Sequence, residues 1–425
     1  MRYFGILFIT LFLVSNMYGQ ENNNKSLTLN SAIELGLKNN PAIKAAQENI
    51  KASNGRFWSG VSLPQPEISY DNQWIPIVNK AGAQSEKTLS VSQSMEFPSV
   101  YFLKGNKFTK EEKIAGYKLN AIKLCVIAEI KSSYYKVLAK QKLISAAKEN
   151  LKISEDFFKK AEIRLNVGEG TNLERLTAKV QFTEAQSNLD VANNEFSTAL
   201  SELNYDLGNP KNVKPTIKHG IEENTYNLAD SLTFVNYSIN IEDLYNSLAE
   251  CNPEIKIAEL NIDISAVEKS IAWSSLLPNI NLAYFKQSRD GGDFYGTSAG
   301  ISVPLWFMFE QKGKIQEAKA NQSISDDELQ SIKNTLTLKL QSAVNDYENN
   351  IQQVELYRNE ILPQTDEIFI TATKSYDAGE ITYMEYMQAK QTSKNSQTNY
   401  INVLLNYYQS LFAIEEIVGK NIIDK

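Results

Sequence analysis

Residues that build catalytic and metal sites are scarce in this sequence. Its 425 residues include one histidine and two cysteines. This excludes a zinc site built from the Cys and His ligands of one chain and disfavours Ser-His-Asp or Cys-His catalysis. Glycine (19) and proline (11) are also rare, below their usual frequencies of about 7% and 5%. The chain therefore has few turns, and its helices and strands must be long.

Other features that the sequence lacks exclude further classes of function. The sequence has no glycine-rich phosphate loop, nucleophile elbow or metal-spaced ligand set, and Asp326-Asp327 lies on a polar helix face typical of solvated residues. A net charge of −7 argues against nucleic-acid binding, which needs a basic surface. No apolar run reaches the roughly 20 residues of a transmembrane helix. We therefore expect neither an enzyme nor a nucleic-acid-binding protein, and no cofactor.

The amino terminus has the features of a secretory signal peptide. Arg2 precedes an apolar run at residues 4–14, and Gly19 supplies a small residue at the cleavage point. We expect residues 1–19 to be removed, and because no cysteine follows the run, no lipid anchor is expected there. Cys125 and Cys251 could pair in an oxidising compartment, but they lie in different helical segments, which favours two free buried thiols.

The sequence repeats itself. Asn40-Pro41 matches Asn252-Pro253 at an offset of 212 residues, and the segment around Gly168 matches the segment around Gly379 at an offset of 211. These matches predict two tandem copies, residues 20–208 and 241–419, joined by a linker at 209–240 and followed by a short tail at 420–425. The lone histidine, His219, lies in the linker and is expected to be solvent-exposed.

Each copy has the same order of elements: a helix, two strands, a very long helix, a glycine-containing tip and a final helix. The first copy is predicted as helix 30–60, strands 66–74 and 88–97, helix 104–166, tip 165–172 and helix 172–207. The second is predicted as helix 241–275, strands 279–286 and 295–305, helix 310–376, tip 376–383 and helix 382–419. Helix 104–166 would span roughly 95 Å at 1.5 Å per residue. The two shorter helices, stacked end to end, can therefore lie antiparallel along it.

The final helix of each copy carries a coiled-coil-like apolar seam with the same spacing in both. The residues are Ala185, Leu189, Ala192, Phe196, Ala199, Leu203 and Leu207 in the first copy, and Ser396, Tyr400, Val403, Tyr407, Ser410, Ile414 and Val418 in the second. Small residues alternate with large ones along each seam. The pattern indicates helices packed side by side as knobs into holes, which is ordinary core.

The four strands alternate apolar and polar residues over 8–11 residues, a length that crosses a bilayer when the strand is tilted. Five aromatic residues are placed as a membrane girdle: Tyr70, Trp74, Tyr284, Tyr295 and Trp306. Four strands cannot close a barrel, and lipid does not tolerate open sheet edges. Several chains must therefore contribute, and the count alone does not distinguish a dimer of eight strands from a trimer of twelve.

In this order of elements the chain resembles the TolC-type outer-membrane factors over nearly its whole length. The resemblance is carried by residues 27–41 (LTLNSAIELGLKNNP), by residues 63–69 (LPQPEIS) and by the two tips. Each tip has a glycine, an acidic residue six positions later and an alanine ten positions later. These residues are Gly168, Glu174 and Ala178 in the first tip, and Gly379, Glu385 and Ala389 in the second.

The resemblance implies a mainly α fold class with a small transmembrane β part. It implies a homotrimer whose twelve strands form one β-barrel in outer-membrane lipid and whose helical hairpins form an α-barrel tunnel through the periplasm. Such a channel is the passive exit duct of a tripartite efflux system, with a periplasmic adaptor and an inner-membrane pump of the resistance-nodulation-division type. Its substrates would be heavy-metal cations or drugs. The LPQPEI segment and the missing anchor cysteine favour the heavy-metal branch.

The resemblance also assigns roles to residues at the tips. The tunnel entrance would be constricted by Glu385 and by the position of Gln388, which is not acidic here, with Glu174 and Thr177 as their counterparts in the first copy. The adaptor would contact Arg164, Leu165, Val167, Gly168, Glu169, Ala378, Gly379 and Glu380. Two alternatives remain open at this stage: an exit duct for type I protein secretion, and a periplasmic coiled-coil scaffold without a pore.

Overall fold

The computed structural model of the chain describes residues 27–73, 86–209, 228–289, 291–305 and 308–422. Several sequence predictions fall outside these ranges and have no structural outcome. They are the signal peptide, most of the linker with His219, and the girdle residues Trp74 and Trp306.

Both copies of the repeat have the predicted order of elements. The first contains α1 (Leu29–Asn39), α2 (Pro41–Val61), β1 (Glu67–Gln73), β2 (Glu86–Met95), α3 (Pro98–Asn166) and α4 (Asn172–Asp206). The second contains α5 (Ile241–Cys251), α6 (Pro253–Ser274), β3 (Asn279–Arg289), β4 (Gly292–Ser302), α7 (Glu310–Leu356), α8 (Leu362–Asp377) and α9 (Tyr383–Val418). A π-helical turn, Tyr357–Ile361, joins α7 to α8.

Long helices dominate the molecule. Helix α3 has 69 residues, about 104 Å at 1.5 Å per residue. It begins at Pro98 rather than at the predicted residue 104, because a proline at the first helical position loses no hydrogen bond. Helices α1, α2 and α4 pack along α3, while α6 and α9 pack along α7 and also contact α3. Within the described ranges, no helix is long and apolar enough to cross a membrane.

The first helix of each copy is broken in two, which corrects the predicted single helices 30–60 and 241–275. The breaks fall at Asn40 and Asn252, each followed by a proline that cannot continue a helix interior. Each asparagine then caps the next helix. The Oδ1 atom of Asn40 accepts a hydrogen bond from the amide of Ala42 at 2.8 Å, and that of Asn252 accepts one from Glu254 at 2.8 Å.

The long helix of the second copy is also interrupted, whereas the sequence predicted one helix over 310–376. At the π-helical turn the amide of Leu362 donates to the carbonyl of Tyr357, five residues earlier. The next residue, Pro363, has no N–H, and its ring would clash with the carbonyl four residues before it in a regular α-helix. The wider turn relieves that clash, so the helix continues as α8 after a local distortion.

The main core lies where the two copies meet. Several residues of the two predicted seams are buried there: Ala199, Leu203, Leu207, Val403, Tyr407, Ile414 and Val418. Lys131 and Glu415 form an ion pair of 2.8 Å inside this core, with only 2% and 6% of their side chains exposed. Because α3 supplies the lysine and α9 the carboxylate, the pair joins the two copies.

Hydrogen bonds from tyrosine hydroxyl groups join the described end of the linker to this core. The hydroxyl of Tyr134 donates to the carboxylate of Asp230 at 2.7 Å, and that of Tyr407 donates to the carbonyl of Val235 at 2.9 Å. Tyr408 likewise donates to the carbonyl of Thr233 at 2.6 Å. The described part of the linker, around residues 230–235, therefore lies against α3 and α9.

The four strands form one antiparallel sheet in the order β1-β2-β3-β4. Its register places Ile68 opposite Val91, and Val91 opposite Tyr284, so these apolar residues share one face. That face is 43% to 72% exposed at these positions, whereas the opposite face carries Ser69, Ser90 and Ser92. The structure confirms the alternation that the sequence predicted.

The strand bounds differ from the prediction. Strand β2 begins at Glu86 and ends at Met95, two residues earlier than expected at each end. Strand β3 extends to Arg289 and strand β4 begins at Gly292, whereas the sequence predicted an end at residue 286 and a start at residue 295. Strand β4 ends at Ser302, because Pro304 cannot donate to the ladder. The hairpin end of β3 and β4 carries polar residues, among them Gln287, Ser288 and Asp293.

Both cysteines are free thiols. Cys125 is half-buried, and burial together with nearby Glu129 raises its pKa to about 12. Cys251 is exposed at the end of α5, so the expectation of a buried thiol is wrong for this residue.

Candidate functional site

The two hairpin tips have the same backbone conformation. At the end of α3, the amide of Gly168 donates to the carbonyl of Leu165 and that of Glu169 donates to Arg164. At the end of α8, Gly379 and Glu380 donate in the same way to Tyr376 and Ser375. This pattern is the Schellman motif, which places a residue with positive φ after the helix. Gly168 and Gly379 have φ values of 81° and 76°, so the motif explains why both tips carry a glycine.

The helix that follows each tip begins with a threonine cap. Thr171 accepts a hydrogen bond from the amide of Glu174, and Thr382 accepts one from the amide of Glu385. The two glutamates therefore occupy the same position, three residues after the cap. Their side chains nevertheless point to different partners.

Glu385 closes a capping box on its own helix. Its carboxylate accepts hydrogen bonds from the backbone N–H and the hydroxyl of Thr382, at 2.7 and 2.9 Å. These bonds stabilise the charged form and lower the pKa of Glu385 below its ordinary value. The side chain is exposed, so the second tip presents a fixed negative charge to solvent.

Glu174 instead crosses to the other copy. Its carboxylate accepts a hydrogen bond from the hydroxyl of Tyr376 on α8 and lies 3.8 Å from the guanidinium of Arg164. Arg164 also donates to the Tyr376 hydroxyl at 3.2 Å and lies over its ring. Only 14% of the Glu174 side chain is exposed. The three residues, named here the tip latch, hold the two hairpins of one chain together.

An aromatic cluster supports the tip latch from below. The ring centroids of Phe157, Tyr376 and Tyr386 lie 5.2 to 5.3 Å from one another. Ala178 is buried within the cluster, and Ala389, at the equivalent position of the second tip, is buried as well. The cluster was not predicted, although Tyr376, Tyr383 and Tyr386 lie close together in sequence around the second tip.

The other predicted tip residues separate into two groups. Val167, Gly168, Glu169, Ala378, Gly379 and Glu380 are exposed at the ends of the hairpins, while Arg164 and Leu165 are half-buried. Gln388 is exposed one turn after Glu385. Thr177 is half-buried, and its hydroxyl donates to the carbonyl of Leu173 within the same helix. The ends of both tips are thus exposed, and Glu385 and Gln388 are exposed beside the second one.

The described girdle residues lie on the apolar face of the sheet. The register aligns Tyr70, Leu89, Lys286 and Tyr295 in one row across the four strands. Tyr284 lies one step away, and its ring stacks on that of Tyr295 with centroids 6.4 Å apart. All three tyrosines are more than half exposed in the isolated chain. A row of this kind is typical of the aromatic girdle of outer-membrane strands.

Comparison with known proteins places the chain in a family. The family model for outer membrane efflux proteins matches residues 32–209 and 244–420, one match for each copy of the repeat. Since these matches cover most of the chain, it belongs to the outer membrane efflux protein family. It is an outer-membrane efflux channel, and because the family consists of passive channels, it is not an enzyme.

Individual relatives are distant but similar over nearly their full length. The chain is 20% identical over 394 residues to the cobalt-zinc-cadmium resistance protein CzcC of Cupriavidus metallidurans, covering 93% of this chain and 90% of CzcC. It is also 20% identical over 417 residues to the pyoverdine export outer membrane protein OpmQ of Pseudomonas putida, covering 92% and 85%.

Solved structures share the fold. A crystal structure of CusC, described as undergoing transmembrane channel formation, matches with a TM-score of 0.75 at 13% identity and covers 92% of both chains. The CmeC outer membrane channel of Campylobacter jejuni matches with a TM-score of 0.76 at 17% identity, covering 94% of this chain and 86% of CmeC. The fold class predicted from the sequence, mainly helical with a small β part and tandem helical hairpins, is confirmed.

Proposed function

We propose that three copies of this chain form one channel, the exit duct of a tripartite efflux system. The proposal rests on the unpaired edges of the sheet and on its exposed apolar face. Among the described strands, β1 and β4 each pair on one side only, and one face of the sheet is apolar and exposed. In lipid every backbone group must find a partner, so the two edges must pair with neighbouring chains. Three chains would close a barrel of twelve strands.

Helix α4 supports the same assembly. Its outer face carries Leu173, Leu176 and Val180, which are 46% to 75% exposed in the single chain. Their spacing follows a heptad-like seam, the pattern with which helices pack side by side. Leu338 and Ile368 on α7 and α8 are exposed as well. In a closed ring, α4 of each chain would pack on α7 and α8 of the next and form a tunnel reaching into the periplasm.

The tips would form the inner end of this tunnel. Three copies of Glu385, with Gln388 beside them, would ring the entrance and attract cations. The exposed tip residues would meet a periplasmic adaptor, which connects the duct to an inner-membrane pump of the resistance-nodulation-division type. For Glu174 we propose a different role from the one that the resemblance assigned. It would keep the entrance closed through the tip latch, and opening would require the two hairpins to separate.

Divalent heavy-metal cations are the proposed substrates. The similarity to CzcC and the LPQPEIS segment at residues 63–69 support this choice. The described residues contain no cluster of metal ligands, and a passive duct needs none, since the pump would select and drive the substrate. The similarity to OpmQ favours a second candidate, export of an organic siderophore.

Deletion of the gene tests the proposal. A deletion strain should become sensitive to cobalt, zinc and cadmium, and a plasmid copy should restore resistance. If only siderophore export is lost, the second candidate replaces the first. If secretion of a protein is lost instead, the chain is a type I secretion duct.

A further inference from the structure

A cavity opens between the two hairpins, inward from the tips. Its volume is about 510 Å³, within the usual range of small-molecule pockets. Helices α3 and α4 of the first copy and α8 and α9 of the second all line it. Most of the lining is apolar and includes Leu143, Ile153, Val191, Ala192, Phe369 and Ile370. Both hairpins of a single chain therefore contribute to one pocket.

A buried lysine lies in the wall of this cavity. Lys390 is only 7% exposed, and its ammonium donates to the hydroxyl of Ser154 at 2.7 Å. That hydroxyl in turn donates to the carbonyl of Asn150 at 2.8 Å. An ammonium group has three hydrogens to donate, and in the described part of the chain no carboxylate forms an ion pair with it. A buried charge without a counter-charge is costly, so Lys390 is a strong candidate to hold an anion.

The other charged residues of the lining do not neutralise Lys390. Glu195 pairs with Lys140 at 2.8 Å, and Asp366 accepts a hydrogen bond from Ser393 at 3.3 Å. Glu149 is exposed at the rim, and Lys394 adds a second positive charge. Burial and this neighbouring lysine lower the pKa of Lys390 to about 8, so the ammonium remains mostly charged at pH 7.

We infer that this cavity binds an amphipathic anion, a carboxylate or sulfonate with an apolar chain. The anionic head would pair with Lys390, and the chain would lie against Leu143, Ile153 and Phe369. Charge complementarity selects the head group, and the apolar lining selects the rest of the ligand.

Binding there has a mechanical consequence that rests on the proposed function. Phe369 lines the cavity and also packs on Tyr386 of the tip cluster, with ring centroids 6.1 Å apart. A ligand that contacts both hairpins is bound only while they lie together. It therefore stabilises the closed arrangement over the separated one, by its difference in affinity for the two.

Calorimetry on the full-length protein in lipid discs tests the site, with empty discs as the blank. The probes are octanoate, octanol and octylammonium, which differ only in the head group. Wild type should bind octanoate about tenfold more tightly than octanol, as expected for one hydrogen bond to a charged group, and octylammonium most weakly. The Lys390→Met variant keeps an apolar chain of similar length and should lose this preference, while Lys394→Gln should keep it.

Several results would overturn the inference. One is absence of octanoate binding to the wild-type assembly, which would mean that a neighbouring chain fills the cavity. Another is equal binding of octanoate to wild type and Lys390→Met. In planar bilayers octanoate should also reduce the current through wild type but not through Lys390→Met. Binding without such a reduction would refute the effect on the hairpins, and calorimetry would still report the site if no channel formed.

Discussion

The phenol of Tyr376 donates a hydrogen bond to the carboxylate of Glu174, which lies 202 residues earlier in the chain. The two residues belong to different copies of the repeat, and each lies at the tip of its hairpin. Arg164 completes the tip latch by approaching both groups. The other tip glutamate, Glu385, instead accepts hydrogen bonds from Thr382 on its own helix. The two tips therefore share a backbone conformation, but their glutamates contact different partners.

Loss of the tip latch should favour the open channel. Tyr376→Phe removes the hydroxyl and keeps the ring in the aromatic cluster. A typical hydrogen bond contributes about 1 kcal/mol, so the ratio of open to closed channels should rise about fivefold. Single-channel recordings in planar bilayers would measure this ratio. Asp377→Asn is the matched control, because it breaks only the exposed ion pair with Lys160 at the same tip. Equal recordings from Tyr376→Phe and wild type would refute the latch.

Glu385 should set the cation preference of the entrance. Glu385→Gln removes the charge but keeps an oxygen that can close the capping box on Thr382, so cation selectivity should fall while thermal stability should fall less than in Glu385→Ala. Glu385→Ala should lower both. Reversal potentials in a salt gradient measure the selectivity. If Glu385→Gln keeps the wild-type reversal potential, the carboxylate does not line the pore.

The same residue gives a pH dependence of defined sign. Hydrogen bonds from Thr382 hold the pKa of Glu385 below its ordinary value, so its cation preference should be lost only at a lower pH than an ordinary glutamate would allow. The contribution of the capping box to stability follows the same course. It is fully present above the unfolded pKa and is lost as the pH falls through the folded one.

The buried ion pair in the core should be costly to break on one side. Lys131→Met removes the ammonium group that lies 2.8 Å from the Glu415 carboxylate inside the core. The expected loss is about 3–5 kcal/mol of unfolding free energy. The double variant Lys131→Met with Glu415→Leu should recover much of this loss, whereas Lys140→Met at a surface pair should cost at most about 1 kcal/mol. Thermal unfolding of the assembled protein measures the stability of all three variants. An unchanged stability of Lys131→Met would contradict this expectation.

The two faces of the sheet should tolerate charge differently. Val91 lies on the proposed lipid face, and its neighbour Ser92 lies on the other. Val91→Arg should cost about 2–4 kcal/mol near the bilayer centre and reduce assembly in the outer membrane. Ser92→Arg would face the lumen and should assemble normally. The amount of oligomer in isolated outer membranes distinguishes the two, and the opposite order would reverse the assignment of faces.

The spacing of apolar residues predicted most of the fold. A period of 2 residues marks the apolar face of a strand, and a period of 3.6 residues marks that of a helix. Ile68, Tyr70 and Val91 revealed the strands in this way. The breaks at Asn40 and Asn252 and the π-helical turn before Pro363 were missed. In each case the chain resumes its helix after a local distortion, so the apolar pattern continues across it.

The sites were less predictable, because their contacts join distant parts of the chain. Glu174 and Glu385 occupy equivalent positions, and only the contact with Tyr376 separates their roles. Lys390 lies in the polar-looking sequence QAKQTSK at residues 388–394. It becomes a buried charge only when α3 of the other copy brings Ser154 against it. Periodicity within a helix carries no information about such a partner.

The native mass of the protein, extracted from outer membranes in mild detergent, decides whether three chains share one barrel. The account predicts a single particle of three chains, because each sheet must pair its open β1 and β4 edges with two neighbours. A monomer in the soluble periplasmic fraction, or a stable dimer in the membrane, would contradict the shared twelve-stranded barrel.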